Sequence, residues 1–370
     1  MKFVMSRAEL VKLMGRIQSV VSSKPAIPIL SNILIEAYAD QIILSATDLT
    51  VSMRTYTDAK VLQEGAITLP AKHFFSLIRE LTAPQVEISA DADEIVRVVA
   101  GNSNFKINGM GKAEFPTLPD FMGAPSFEIN GEKFKTLLSK TAFAAAKDDS
   151  RQMLNGILMQ LQGNNLGFVA TDGKRLAKVR AQIEMQAPLE GQHIIPLKAV
   201  EEVIKTLDGE QTAKVLIGED KIAIESGSTC FMTKLLSGDY PDIERVIPTN
   251  CSSNLHLHRD ELISILRQVS LFTTDRSQSV RFCFSQGELK LLAASSEIGE
   301  GAVSMPVDYS GEYMEIAFNP NFFLDILRHT KDETVAFGMS DPYNPGLITD
   351  KSAAQFVIMP MRIEQPAHVA

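Results

Sequence analysis

His256 and His258 stand two apart in Leu255-His-Leu-His258, a spacing that sets two imidazoles on one face of a strand and can begin a metal site. No third ligand stands at a recognisable spacing, so the pair reads as surface histidines. Gly109-Met-Gly-Lys112 has the look of a phosphate loop but lacks the full Gly-to-Gly-Lys-Ser/Thr pattern, and reads as a turn between strands. Asp148 and Asp149 could pair as acid and base, yet Lys147, Ser150 and Arg151 surround them, which suits a polar loop. Thr171-Asp172-Gly173 resembles a catalytic acid in a tight turn, but Thr47-Asp48-Leu49 stands 124 residues earlier. A feature written twice at equivalent places is expected to be structural, with the Asp capping a turn. No catalytic residue, metal ligand or cofactor motif emerges.

The repetition extends along the whole chain. Pro70, Pro196 and Pro320 each close a strand-like run and open an amphipathic one, at spacings of 126 and 124 residues. The lead-ins at Phe3, Phe127 and Leu255 are 124 and 128 residues apart. A period this long describes a small domain rather than a solenoid unit of about 20–50 residues. Three tandem copies follow, expected at 1–122, 123–250 and 251–363, with a tail at 364–370. In the first copy Ser6 and Glu9 suggest a capping box, after which Leu10, Leu13, Met14, Ile17 and Val21 recur at helical spacing. Strand-like runs follow at Asn32, Gln41 and Ala66, a second helix begins behind Pro70, and further strands lie near Val86 and Ile95. Two helices per copy framed by antiparallel strands make an α+β fold with strands in the majority.

A hydrophobic fraction of 45% and a charged fraction of 22% over 370 residues suit two to four ordinary globular domains. No apolar run reaches the roughly 18 residues of a membrane span. The N-terminus lacks the order of a signal peptide, and three widely spaced cysteines suit reduced thiols. A cytoplasmic location is the expectation, with no membrane partner.

A net charge of −9 argues against nucleic acid as a partner, since phosphates are neutralised by Lys and Arg. Distribution reverses that inference. The six helical windows 6–21, 70–81, 131–147, 196–207, 259–270 and 320–331 hold 15 basic and 8 acidic residues, leaving −16 on the remainder. Lys and Arg are good helix formers on any solvated face, but the bias recurs in all three copies. Pooled helix faces would form a weakly positive surface that follows a phosphate backbone without reading bases.

Several segments carry a family resemblance: Met1-Lys-Phe3, Pro28-Ile-Leu-Ser-Asn-Ile-Leu34, Leu154-Asn-Gly-Ile-Leu158, Val169-Ala-Thr-Asp-Gly-Lys-Arg-Leu-Ala177, Gly238-Asp-Tyr-Pro-Asp-Ile243 and Val357-Ile-Met-Pro-Met-Arg-Ile363. In this order, over essentially the whole chain, they resemble the β subunit of bacterial DNA polymerase III, the β sliding clamp family. The resemblance implies a ring-forming, head-to-tail homodimer with helices lining a hole through which duplex DNA passes. It also implies a non-catalytic processivity factor that binds polymerase subunits and the clamp loader through short peptides, with neither cofactor nor metal.

Carried over residue by residue, the resemblance places a partner-peptide pocket at Leu154, Thr171, Gly173, Lys174, Arg175, Leu176, Pro241, Val246, Val357, Met359, Pro360, Met361 and Arg362. Leu, Val and Met would form an adaptable floor, with Arg175 and Arg362 holding polar or carboxylate groups at the rim. It puts Lys24, Lys72, Lys147, Arg151 and Lys198 near the duplex, although Gln152, Met153 and Leu197 depart from the family pattern. Phe105 and Ile107 on an edge strand would meet Leu271 and Phe272 of a neighbouring subunit, with Asn102 and Asn104 replacing arginines of some relatives. An enzyme with its site in one cleft of a triplicated scaffold is the competing class. It would need convergent acid, base or nucleophile residues that break the repeat, and none has a supporting spacing.

Overall fold

The computed structural model describes residues 1–21, 25–184, 188–274, 278–352 and 354–362. Lys24 and the segment 364–370 therefore lie outside the described residues. Among the described residues there are six α-helices: α1 (Arg7–Ile17), α2 (Ala71–Glu80), α3 (Gly131–Ala142), α4 (Leu197–Thr206), α5 (Arg259–Ser270) and α6 (Pro320–Arg328). Each follows directly on a strand, and three strands follow each helix, with one further short strand, Lys60–Gln63, after α1. Among the described residues the unit strand, helix, three strands thus occurs twice per repeat and six times in all.

The helix starts show how the sequence sets this pattern. Pro70 is the N-cap of α2, Pro196 closes the strand before α4, and Pro320 occupies the first turn of α6, where a missing N–H costs nothing. Asn319 caps α6 by accepting from Asn321 N–H at 3.0 Å. Ser6 is the N-cap of α1, but its side chain makes no capping bond, so the expected capping box does not form. Leu10, Leu13, Met14 and Ile17 are buried as their helical spacing requires.

The chain divides into two compact units. One comprises residues 1–135, 183–189 and 198–235, and the other 136–182, 190–197 and 236–370. In the first unit α1 packs on α2, with Phe3, Leu10, Met14 and Phe74 at or below 1% exposure. A five-stranded sheet ends on Ser103–Asn108, and an eight-stranded sheet joins strands of the first and second repeats. That join is the antiparallel pairing of Val51–Asp58 with Thr229–Lys234, which sets Met53 opposite Phe231 and Thr55 opposite Thr229.

The second unit repeats the arrangement. Its eight-stranded sheet is joined where Arg175–Gln182 pairs with Gln355–Ile358, setting Leu176 opposite Val357 and Ala177 opposite Phe356. A four-stranded sheet ends on Gly299–Pro306. Its core is aromatic: Phe282 stacks on Phe323 at 4.8 Å and meets Phe318 edge-on at 5.3 Å. Burial of each such side chain contributes about 1.5–3 kcal/mol.

Candidate functional site

In the second unit, the join between repeats carries a groove. Its base is the turn at Thr171–Gly173, which the side chains hold from within. Thr171 Oγ1 donates to Arg175 O at 2.6 Å and accepts from Gly173 N–H at 3.0 Å. Asp172 Oδ1 accepts from the N–H groups of Lys174 and Arg175 at 2.9 and 3.0 Å. In the first repeat Thr47 accepts from Leu49 N–H, while Asp48 accepts from Thr50 and Val51 N–H. Asp172 is therefore a turn cap, as its repetition suggests. Gly173 has φ +83° where Leu49 has φ +76°, a conformation that costs a residue with a Cβ free energy.

Beyond the turn, Leu176 and Val357 pair across the sheet and pack with Leu158, Val169, Ile194, Ile243 and Ile247. Leu154, Leu176 and Val357 are at most 3% exposed, whereas Val246 and Met359 are 39% and 36% exposed at the lip. Met359 N–H donates to Lys174 O at 2.9 Å, which ties the last strand to the turn. The wall is the segment 240–247. Tyr240 Oη accepts from Thr171 N–H at 3.1 Å, and burial pushes its hydroxyl pKa up. The space enclosed is about 170 Å³. An apolar cavity of about 150 Å³ accommodates benzene, so this one takes a bulky apolar side chain.

Nine of the thirteen residues expected at the pocket line this groove: Leu154, Thr171, Gly173, Arg175, Leu176, Pro241, Val246, Val357 and Met359. Lys174, Pro360 and Met361 line an adjoining pocket that shares Met359 and adds Gln278, Asn319 and Phe322. Arg362 is exposed and lines neither. The sequence reading missed Asp242 and Ile243, although both stand beside Pro241 in the Gly238–Ile243 motif.

Two arginines make contacts that their expected roles did not include. Arg175 spends three of its five donors within the chain. Its Nε, Nη1 and Nη2 donate to Asp172 Oδ2 (3.2 Å), Asp325 Oδ2 (2.6 Å) and Phe143 O (2.6 Å), with the guanidinium over the rings of Phe143 and Phe322. These partners are 32 and 150 residues from it, except for Asp172, so local spacing could not reveal them. Arg151 was expected near a duplex, yet it lines the groove. Asp149 accepts from its N–H, Nε and Nη2 at 2.8–3.0 Å, and those bonds bring the Asp149 carboxyl down to about 2.

Lys72 on α2 and Lys147 after α3 are exposed. Lys198 on α4 is half-exposed and bonded to Asp48, so part of its charge is neutralised within the chain. At the expected interface Phe105 is 40% and Leu271 73% exposed, and Phe272 is half-buried. Ile107 is only 7% exposed within its own chain. It points to the same side of its strand as Phe105. His256 and His258 are exposed on their strand, and Gly109–Lys112 is irregular, with Met110 bridged to Thr68 and Lys112 opening a 3-10 helix. Among the described residues, no three His, Cys, Asp or Glu side chains gather to hold a metal.

The first unit explains why the same join is not the same groove. Ser52 stands 124 residues before Leu176 and Leu30 stands 124 before Leu154. There Phe115 and Leu118 pack on Leu30, and Leu118 and Phe121 pack beside Met232, the residue opposite Ser52. The following segment fills that site with its own apolar side chains.

Comparison with known proteins agrees with this architecture. Models of the DNA polymerase III beta subunit match in chain order: the N-terminal domain at 1–119, the central domain at 128–242 and the C-terminal domain at 244–362. The chain belongs to the β sliding clamp family. It is 50% identical over 363 residues to the beta sliding clamp of Chlamydia pneumoniae, covering 98% of this chain and 99% of that one. The crystal structure of the DNA polymerase III subunit beta from Pseudomonas aeruginosa superposes with a TM-score of 0.94 at 30% identity, covering 98% and 100%. A sliding clamp of that organism bound to griselimycin gives 0.93 at 29%, with the same coverage. The family is a non-catalytic processivity factor, so the clamp needs no active-site residues. Among the described residues no helix is long and apolar enough to cross a membrane.

Proposed function

We propose that this clamp tethers DNA polymerase subunits and a clamp loader through the groove floored by Leu154, Leu176 and Val357, while a head-to-tail homodimer encircles duplex DNA in the cytoplasm. The observation that carries the peptide reading is an apolar, open-lipped groove at one join between repeats. Its floor is Leu176 and Val357 on paired strands and Leu154 on a 3-10 helix, and Val246, Met359 and, in the adjoining pocket, Met361 are each more than a third exposed. Central apolar anchors in such pockets dominate affinity, and exposed Met side chains adapt to different sequences. Lys72, Lys147 and Lys198 are assigned to non-specific contact with phosphates. We place the three repeats at 1–122, 123–250 and 251–363.

The test is fluorescence anisotropy with a labelled peptide carrying a Gln followed by Leu and Phe. Leu176→Ala with Met361→Ala should weaken binding at least about tenfold, or roughly 1.4 kcal/mol, with the dimer intact. Undiminished binding by that variant would remove the groove from consideration.

A further inference from the structure

Peptide binding does not explain Lys178 on the groove strand. The strand Arg175–Gln182 alternates, so Leu176, Lys178 and Arg180 share one face. Leu176 is groove floor, but its neighbour is a lysine whose side chain is only 4% exposed. Lysine is almost never buried so fully unless it is paired. Its ammonium donates to Glu244 Oε1 at 2.5 Å, and Arg180 Nη2 reaches the same oxygen at 3.3 Å. Glu244 lies in the wall segment between Ile243, which packs into the core, and Val246, at the lip. Its side chain is 60% exposed, so burial does not hold it in place.

We infer that Lys178 and Arg180 clamp Glu244 and thereby hold the groove wall at the distance a partner peptide requires. The wall is then fixed at two points on the adjoining sheet: Tyr240 on Thr171 N–H, and Glu244 on the two cations. The anchoring is asymmetric. Glu244 without its cations merely returns to water, whereas Lys178 without Glu244 is a buried charge whose desolvation nothing offsets. Loss of the carboxylate therefore drives Lys178 outward toward solvent, past the wall it now supports. Both are positioning residues, acting through Pro241, Ile243 and Val246 and not by contact with the ligand.

This inference rests on the groove being the peptide site, and the experiment separates the two. Peptide affinity is measured by anisotropy for the full-length dimer carrying Glu244→Gln, Lys178→Met, both together, or Leu176→Ala. Glu244→Gln should weaken binding at least about threefold, and the double variant should fall short of the product of the single effects, as expected for coupled neighbours. Lys178→Met, which fills the same space without a charge, should recover part of the Glu244→Gln loss when combined with it. Amide exchange should accelerate in 240–247 in the Glu244→Gln variant while α5 and α6 keep wild-type protection. Wild-type affinity in both single variants, with Leu176→Ala still impaired, overturns the clamp and leaves the groove standing. Wild-type affinity in all variants, Leu176→Ala included, overturns the groove assignment on which it depends. Strict multiplicativity of the two single effects also overturns the clamp.

Discussion

Arg175 Nη1 lies 2.6 Å from Asp325 Oδ2, joining a strand of the second repeat to α6 of the third. The same guanidinium also donates to Phe143 O just past α3. One side chain, 11% exposed, thus ties the groove turn to the ends of two helices. A planar fork presents donors on three separate nitrogens to acceptors lying on different sides of it, whereas an ammonium offers its three donors from a single atom. Arg175→Lys should therefore behave almost as badly as Arg175→Ala. Each should lower stability by about 2 kcal/mol, the scale of charge-assisted bonds lost at a half-buried site. Urea unfolding of the three proteins measures this, and wild-type stability in Arg175→Lys would refute the fork argument.

A second tie across repeats is pH-sensitive. Lys140 on α3 bonds the Asp350 carboxylate and donates to Ser352 Oγ at 2.5 Å. Burial works to raise the Asp350 pKa, but the bonds from Lys140 and Ser352 outweigh it and leave the carboxyl below its ordinary value. A lowered folded pKa adds stability above the unfolded value of about 3.9 and loses it as pH falls through the folded one. Asp350→Asn should cost about 3–5 kcal/mol at pH 7, because it strands a buried ammonium. Denaturation of the two proteins should converge below about pH 4, and a gap that stayed constant with pH would contradict the assignment.

The two joins inside the chain suggest how subunits meet. Thr229–Lys234 pairs with Val51–Asp58, and Gln355–Ile358 with Arg175–Gln182. The corresponding strands left at sheet edges are Ser103–Asn108 and Gly299–Pro306. Unpaired edges invite pairing with another chain. If the same register applies between copies, Phe105 of the partner subunit meets Gly301, beside Phe272, and Lys106 of the partner subunit stands opposite Glu300. Opposite charges across a pair contribute about 0.2–1 kcal/mol. Leu271→Ala with Phe272→Ala should give folded monomers at micromolar concentration by sedimentation. Glu300→Lys should weaken the dimer and Glu300→Lys with Lys106→Glu should restore it; failure of the exchange to restore it would rule out this register.

The repeats, the helix starts behind Pro70 and Pro196, and the Asp172 turn could be read from residues because each depends on neighbours a few positions away. Leu154, Leu176 and Val357 were placed in a pocket by family resemblance, because residue spacing by itself does not say that a groove remains between them. What escaped was pairing over long separations. Asp48 takes up Lys198 from 150 residues away, and Asp325 takes up Arg175 over the same distance. Composition records such charges but not their partners. Ile107 was placed at the interface by family resemblance, which does not record how far it is packed within its own chain. Arg151 was placed near DNA by family resemblance, and the sequence did not show that Asp149 turns its guanidinium toward the groove turn, where Gly173 leaves room for it.

Retention on DNA tests the central claim most directly. Protein loaded on nicked circular duplex should remain bound at salt that strips proteins held by phosphate contacts, whose affinity falls about 10³–10⁵-fold between about 50 and 200 mM when 6–10 phosphates are contacted. Cutting the circle once should release it by sliding off the ends. A half-life that is the same on circles and on linear duplex would mean that this chain grips DNA instead of encircling it.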